Sequence, residues 1–180
     1  MPLTFSVSGY ILIIQEVSFM AGKKEIERKW LIDITKVPFD LEKAEKIHME
    51  QSYISFSPTV RLRAENGKRF VLCVKTMPSP NGLSRDEFET EITKESYENL
   101  LKKIDGTIIE KTRHIINDGK HILEFDIFHG SLSGLFFMEI EFETEDEAKS
   151  YPDPEWSVKD VTKDKRYKNA YLAKNGKVKD

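Results

Sequence analysis

Six short stretches of this chain carry a charge at every second residue with apolar residues between, which is the period of a β-strand with side chains on two opposite faces. The predicted strands are residues 24–32, 47–56, 59–65, 68–76, 84–92, 107–117, 120–128 and 135–143. Asn66-Gly67 and Asp118-Gly119 fall between alternating runs and are typical of two-residue hairpin turns. The pattern therefore predicts a mainly β, antiparallel fold.

Helical spacing of apolar residues is confined to a few short segments. The predicted helices are residues 94–104, a short helix after Thr144, residues 163–174 and, on a weaker pattern, residues 41–46. Thr93 and Thr162 are predicted to cap the first and third helices, and Thr144 with Glu147 forms a capping box. With the strands, these helices place the chain in the α+β class.

Charged residues of both signs occupy the polar faces of seven predicted strands. The acids include Glu25, Glu27, Glu89, Glu91, Glu124, Asp126, Glu139 and Glu141, and the bases include Lys29, Arg61, Arg63, Lys75, Lys111 and Arg113. One such strand is typical of a sheet with a solvated face. Seven of them, with large apolar residues opposite, favour an eight-stranded closed β-barrel with a charged lumen and helices packed outside. Such a lumen holds water or a charged ligand, because unpaired buried charge is costly.

The two kinds of charge predict what the lumen binds. Carboxylates without a histidine or cysteine set favour Mg²⁺ or Mn²⁺, and clustered arginines and lysines favour phosphate groups. A metal–polyphosphate complex would satisfy both. The four histidines lack zinc-site spacing, and the chain has neither GxxxxGK[ST] nor GxGxxG, the signatures of P-loop and dinucleotide-binding folds.

Composition limits the class of protein and its partners. The 180 residues are 39% hydrophobic and 33% charged, which suits a globular chain. The net charge of −3 indicates neither a nucleic-acid nor an anionic-membrane partner. Cys73 is the single cysteine, so no intramolecular disulfide can form, and it lies in an apolar run. We therefore expect a buried filler residue in a cytoplasmic protein.

The N-terminal segment differs from the rest of the chain. Residues 5–19 are fairly apolar, but no Lys or Arg precedes Lys23 and the run is too short for a membrane span. Neither a secretory signal nor a transmembrane helix is predicted. Residues 1–19 are interpreted as an extra segment, either a mis-assigned start before Met20 or an additional strand. Residues 20–180 are predicted to form a single domain.

Several of these strands resemble those of a known family, in the same order along the chain. Glu25-Ile26-Glu27-Arg28-Lys29 matches the ExExK signature of the CYTH superfamily, the triphosphate tunnel metalloenzymes. Further matches are the RxR strand at 61–63, the lysine strand at 74–76, the acidic strand at 84–92, the KTR strand at 111–113, the late acidic strands at 124–126 and 139–141, and the C-terminal helix at 161–169. The resemblance covers about residues 22–175 and is strongest to the short bacterial inorganic triphosphatase-like group.

This resemblance implies hydrolysis of a linear tripolyphosphate, lying in the tunnel, to pyrophosphate and phosphate. The implied substrate-binding residues are Lys29, Arg61, Arg63, Lys75, Lys111 and Arg113. The implied ligands of Mg²⁺ or Mn²⁺ are Glu25, Glu27, Glu139 and Glu141, with Glu89, Glu91, Glu124 and Asp126 as further candidates. Glu25, Glu27, Lys29 and Glu141 are the expected catalytic residues, whereas Arg28 is expected at the surface, pointing away from the tunnel.

Other activities on the same platform stay open at this point. A class IV adenylate cyclase would convert ATP to cyclic AMP, and a thiamine triphosphatase would need a stacking aromatic residue at the tunnel mouth. Binding of polyphosphate or a nucleotide without turnover is the non-enzymatic alternative. In each case the partner is a small anionic substrate, and homodimer formation is left open.

Overall fold

A computed structural model describes residues 23–76 and 83–178, so the N-terminal segment 1–19 lies outside the described residues. The strands are β1 Lys23–Ile32, β2 Glu45–Phe56, β3 Thr59–Glu65, β4 Arg69–Lys75, β5 Ser84–Glu91, β6 Asp105–Asp118, β7 His121–Phe128, β8 Phe136–Glu141 and β9 Ser157–Asp160. The helices are α1 Lys94–Leu101, α2 Glu145–Ser150 and α3 Asn169–Asn175, with 3-10 turns at Ile34–Lys36, Gly130–Leu132 and Lys165–Tyr167. The predicted mainly β architecture with few helices is confirmed.

All strand pairs are antiparallel, in the order β5-β4-β3-β2-β6-β7-β8-β1-β9. The first residues of β1 also pair with β5, from Lys23 opposite Glu87 to Ile26 opposite Ser84. Beyond them, β1 pairs with β8 and with β9. The short β9 was not predicted, because its four residues include a single apolar side chain, Val158, and show no alternation.

The two predicted hairpin turns have different outcomes. Asn66 and Gly67 both adopt the left-handed conformation, with φ of 51° and 63°, but Glu65 pairs with Arg69, so the loop has three residues, 66–68, one more than predicted. In the second hairpin Asp118 pairs with His121, so the turn consists of Gly119 and Lys120, one residue later than predicted. Gly119, with φ of 62°, supplies the left-handed residue, which leaves Asp118 in the strand.

The predicted helices needed several corrections. Residues 41–46 form no helix, because β2 begins at Glu45, which pairs with Ile115 of β6. The helix predicted over 163–174 is a 3-10 turn followed by the shorter α3. The hydroxyl of Thr162 does not cap it but accepts a hydrogen bond from the backbone N–H of Lys29 at 2.9 Å. The helices after Thr93 and Thr144 form with these threonines as N-caps, but α1 ends at Leu101 instead of residue 104, and the Glu147 carboxylate accepts from the backbone N–H of Glu143.

Three apolar clusters cover the sheet and leave one of its faces to charged residues. Helix α1 packs Tyr97 onto Leu62 and Phe70, and a second cluster around Trp30 and Phe125 lies behind β1, β7 and β8. The third cluster joins α3 to the ends of β2, β6 and β8; its buried members include Tyr53, Phe128, Phe137, Tyr167 and Leu172. The charged face is therefore bounded by apolar packing behind it and at one end.

Helix α3 sits unusually close to the first residues of β6. Gly106 has a φ of 80°, and a Cβ at this position would lie 2.6 Å from the carbonyl oxygen of Ala173. The hydroxyl of Thr107 donates a hydrogen bond to the same oxygen at 3.0 Å. Only glycine fits this approach, so these two neighbours fix where α3 rests. None of the helices in 23–76 and 83–178 is long and apolar enough to cross a membrane.

Candidate active site

The charged face encloses a cavity of about 610 Å³. The predicted site residues that line it are Glu25, Glu27, Lys29, Arg61, Arg63, Lys75, Glu89, Lys111, Arg113, Glu124, Glu139 and Glu141. They come from seven strands, β1 and β3 to β8, because alternate residues of each strand face the same side. The cavity thus brings together twelve of the fourteen predicted side chains.

Strands β1 and β8 place four carboxylates next to one another. Glu27 lies directly opposite Glu141, and Lys29 lies opposite Glu139. Glu25 precedes Glu27 by two residues and therefore projects from the same face of β1. Carboxylate oxygens in such a group are the donors that Mg²⁺ and Mn²⁺ prefer, so this donor set fits a divalent ion.

Buried lysines neutralise these carboxylates in the protein itself. Lys29, with 2% of its side chain exposed, contacts Glu139 at 2.7 Å, and its Nζ lies 4.3 Å from the Phe137 ring centroid. Lys75, with 4% exposed, contacts Glu25 at 2.9 Å and Glu87 at 2.8 Å. Without such partners, buried charges of either sign would oppose folding.

The basic side of the cavity contains two arginines on β3. Arg61 donates to Glu87 and Glu89 at 3.1 and 2.9 Å, and Arg63 donates to Glu89 at 3.2 Å. The buried Nε of Arg61 has no hydrogen-bond partner among the described residues. A buried donor left without an acceptor is costly, so this nitrogen indicates where an anionic ligand would add a bond.

Strand β6 contributes Lys111 and Arg113, which share the carboxylate of Asp126. Arg113 also contacts Glu124 and donates to Glu139 at 2.5 Å. Burial, reinforced by the positive charge of Arg113, lowers the pKa of Lys111 to about 8. Burial alone would raise the pKa of Glu139, but Lys29, Lys111 and Arg113 hold it well below its usual value. Burial raises the pKa of Glu124.

Two predicted site residues lie elsewhere. Glu91 does not line the cavity; it pairs with Arg69 at 3.2 Å and has 65% of its side chain exposed. Asp126 is completely buried beneath Lys111 and Arg113, so its carboxylate supports the basic residues of the cavity wall. Both positions follow the predicted alternation, and only the three-dimensional packing separates them from their neighbours.

The expectation for Arg28 was half right. Its side chain points away from the cavity but is only 12% exposed. It bonds to Asp153 at 2.6 Å, to Asp160 at 2.5 Å, and to the carbonyl oxygens of Ala148 and Tyr151. This network ties β1 to the segment from α2 to β9. The alternation along β1 indicates on which face Arg28 lies, but it does not show that distant acids will pair with it.

Sequence reasoning missed Lys168, which lines the cavity from the residue before α3. Its Nζ contacts Glu27 Oε1 at 2.9 Å. The neighbouring Asn169 donates to Gln51 at 3.1 Å. Of the adjoining residues, Tyr167 packs against Phe137, and Arg166 is exposed. A lysine outside the alternating strands gives no periodic signal, although the matched C-terminal segment 161–169 contains it.

Cys73 is buried in the cavity wall, and its thiol donates to Glu87 at 2.9 Å. Burial raises the pKa of this thiol to about 12, which keeps it protonated and unreactive. The expectation of a buried filler residue is therefore confirmed. With Glu87 and Glu89 it forms a compact ligand group, but the cations of Arg61 and Lys75 already hold those two carboxylates.

The CYTH domain model matches residues 23–170, which includes every strand that contributes to the cavity. The chain belongs to the CYTH domain family. An inorganic triphosphatase of Nitrosomonas europaea is 37% identical over 155 residues, 83% of this chain and 96% of that protein. An inorganic triphosphatase of Acetivibrio thermocellus is 33% identical over 157 residues, 84% of this chain and 94% of that protein.

Solved structures with a similar fold were also found. The crystal structure of an inorganic triphosphatase matches with a TM-score of 0.59 and 32% identity, covering 83% of this chain and 93% of the other. Two structures whose names refer to adenylate cyclase match at 18% and 19% identity with TM-scores of 0.54. At that identity they show a shared fold alone.

Proposed function

We propose that this CYTH protein is a divalent-metal-dependent hydrolase that converts inorganic tripolyphosphate to pyrophosphate and phosphate. The observation that carries the proposal is a single cavity lined by six predicted phosphate-binding cations and by the four carboxylates of β1 and β8. The similarity to inorganic triphosphatases over more than four-fifths of the chain supports the same reaction.

We further propose that eight strands close into a barrel around the substrate. The pairing of β1 with both β8 and β5 supports this closure, since β5 stands at the far end of the series β5-β4-β3-β2-β6-β7-β8-β1. In such a barrel β9 is an additional strand alongside β1. A closed lumen would surround the phosphate chain with fixed charges on all sides.

The carboxylates of Glu25, Glu27, Glu139 and Glu141 would hold the ion, with Glu89 and Glu124 as further candidates in the lining. When bound, Mg²⁺ or Mn²⁺ would neutralise phosphate oxygens and lower the pKa of a coordinated water. Because Lys29 and Lys75 already neutralise Glu139 and Glu25, these lysines would turn to phosphate oxygens once their carboxylates gain another cation. On ligand binding, ion pairs within the cavity lining would thus be replaced by contacts of the lysines with phosphate and of the carboxylates with the metal ion.

The reaction needs charge stabilisation and positioning more than covalent chemistry from the protein. Lys29, Arg61, Arg63, Lys75, Lys111 and Arg113 would bind the oxygens of the triphosphate chain. The oxygen of a water forms a bond to the terminal phosphorus while the bridging P–O bond breaks, and pyrophosphate leaves with the electron pair. The water proton passes to a phosphate oxygen or to solvent, and the cations stabilise the charge that develops on the leaving oxygen.

An organic triphosphate would need an aromatic ring that stacks on its base or on thiamine. Phe88 contributes to the cavity lining and is 42% exposed, but it alternates with Glu87 and Glu89 on β5, so its ring faces the opposite side of the sheet. Tyr53 is 2% exposed and stacked on Phe56 in the apolar cluster. Neither ring is placed to stack on a ligand, so ATP and thiamine triphosphate serve as comparison substrates beside tripolyphosphate in the assay.

The decisive experiment measures phosphate release from tripolyphosphate with Mg²⁺ or Mn²⁺ for the wild type and Glu27→Gln. Glu98→Gln is the matched control, since Glu98 is exposed on α1. We expect metal-dependent release that is lost in Glu27→Gln, kept in Glu98→Gln and slow with ATP. Cyclic product and pyrophosphate from ATP would indicate a cyclase instead. Metal-dependent affinity without any release would indicate a binding protein.

A further inference from the structure

Lys168 differs from the other lysines of the cavity in how it is supported. Lys29, Lys75 and Lys111 lie on strands, with 2%, 4% and 0% of their side chains exposed. Lys168 lies between a 3-10 turn and α3, and 27% of its side chain is exposed. A lysine side chain with access to solvent can change partners at lower cost than a buried lysine such as Lys29 or Lys75.

The partner of Lys168 is a proposed metal ligand. Its Nζ lies 2.9 Å from Oε1 of Glu27, the carboxylate that stands opposite Glu141 in the β1–β8 pair. An ammonium group and a divalent ion both bind through carboxylate oxygens, and two cations sharing one oxygen repel each other. Lys168 and a metal ion therefore compete for Glu27.

The backbone on either side of Lys168 is well anchored. Tyr167 is packed against Phe137 with ring centroids 6.1 Å apart, and Leu172 is completely buried. The carbonyl oxygen of Ala173 rests against Gly106 and accepts a bond from Thr107. With both ends held, a change of partner requires rotation of the Lys168 side chain and no movement of α3.

We propose that Lys168 is an exchangeable internal counter-ion. In the metal-free protein it neutralises Glu27, and when that carboxylate takes a divalent ion Lys168 transfers to an oxygen of the triphosphate. This inference rests on the proposed function for the identity of the anion. It makes metal and triphosphate binding mutually reinforcing, because the cation released from Glu27 becomes a binding group for the substrate.

The test measures Mn²⁺ binding calorimetrically, with and without a non-hydrolysable imido analogue of tripolyphosphate. The variants are Lys168→Gln, Lys168→Arg, which keeps the charge, and two controls. Lys165→Gln removes an exposed lysine from the same segment, and Arg69→Gln removes a cation from the cavity wall that pairs with Glu65 and Glu91. Thermal unfolding of each variant checks that it folds.

Without the analogue, we expect Lys168→Gln to bind Mn²⁺ about three- to tenfold more tightly than the wild type, because a competing cation is gone. With the analogue, this advantage should disappear, since the triphosphate loses a partner. Lys168→Arg and Lys165→Gln should bind like the wild type. An equal gain in Arg69→Gln would overturn the proposal, because it would show a general effect of cavity charge.

Unchanged or weaker Mn²⁺ binding by Lys168→Gln would also overturn the counter-ion role. Tighter binding that persists with the analogue would overturn the transfer to the substrate. Phosphate release by the wild type is measured in parallel. If the wild type releases no phosphate from tripolyphosphate while Lys168→Gln still binds Mn²⁺ more tightly, the proposed hydrolase is wrong and the counter-ion role stands.

Discussion

Arg28 and Arg61 are both mostly buried arginines, with 12% and 10% of their side chains exposed, but they lie on opposite sides of the sheet. Outside the cavity, Nε and both terminal nitrogens of Arg28 donate to acids or carbonyl oxygens. Inside it, Arg61 bonds to Glu87 and Glu89, but its Nε has no hydrogen-bond partner within 23–76 and 83–178. An arginine whose nitrogens all donate hydrogen bonds within the protein stabilises the fold, whereas one with an unbonded donor is available for a ligand.

The largest effect is expected from a conservative substitution of Arg61, inside the cavity, which should affect ligand binding and leave fold stability alone. Arg61→Lys keeps the charge but removes the planar fork that binds phosphate oxygens. We expect kcat/KM for tripolyphosphate to fall about 100-fold, with the free energy of unfolding nearly unchanged. Steady-state kinetics and urea unfolding measure the two quantities. Normal activity in this variant would remove Arg61 from the binding site.

The same change outside the cavity should have the opposite result. Arg28→Lys cannot satisfy Asp153, Asp160 and two carbonyl oxygens at once. Because these partners are part-buried or exposed, we expect a loss of about 1–3 kcal/mol in the free energy of unfolding. Activity per folded molecule should stay at the wild-type value. Lower activity at full folding would show that the outer network also sets cavity geometry.

The function of the cavity, measured as kcat/KM, should also depend on pH through Lys111. Lys111 has a pKa lowered to about 8, so it is charged below that pH and neutral above it. Since phosphate binding uses the charge, kcat/KM should fall up to about tenfold per pH unit above 8. A profile of kcat/KM reports the free enzyme and is the measurement to make. A flat profile up to pH 10 would show that Lys111 stays charged or contributes nothing.

The smallest effect concerns Cys73, which lies in the same wall. Because its pKa is raised to about 12 and its side chain is buried, alkylation of the native protein at pH 8 should be far slower than in urea. Mass spectrometry after iodoacetamide treatment measures this ratio. Cys73→Ser should change kcat/KM less than about twofold. Rapid native alkylation that inactivates the protein would contradict this expectation.

The strand pattern was readable from the sequence because one face of each strand is charged over several residues. Glu25, Glu27 and Lys29, which alternate in the ExExK sequence, therefore lie side by side in the cavity. Whether alternating charges reach the cavity depends on tertiary packing. Asp126 is covered and Glu91 is turned to solvent, although both lie in the correct pattern.

Contacts between distant segments account for most of what the sequence could not show. Lys168 reaches Glu27 across 141 positions of the chain, and Arg28 reaches Asp160 across 132. Lys168 lies outside the alternating strands, and the alternation that turns Arg28 away from the cavity does not reveal its acidic partners. Likewise threonine is a favoured N-cap residue, but the hydroxyl oxygen of Thr162 accepts its hydrogen bond from the backbone N–H of Lys29 instead of from a helix.

The close approach at Gly106 has a consequence for how this protein can vary. Any side chain at position 106 would meet the Ala173 carbonyl oxygen, 2.6 Å from the Cβ, and would lift α3 away from β6. Lys168 directly precedes α3 and would move with it. A substitution at Gly106, which lies away from the charged wall, would therefore displace a lysine of the cavity. Natural or designed replacements of this glycine are therefore expected to alter ion and substrate affinity, and a compensating change would be needed in the helix itself.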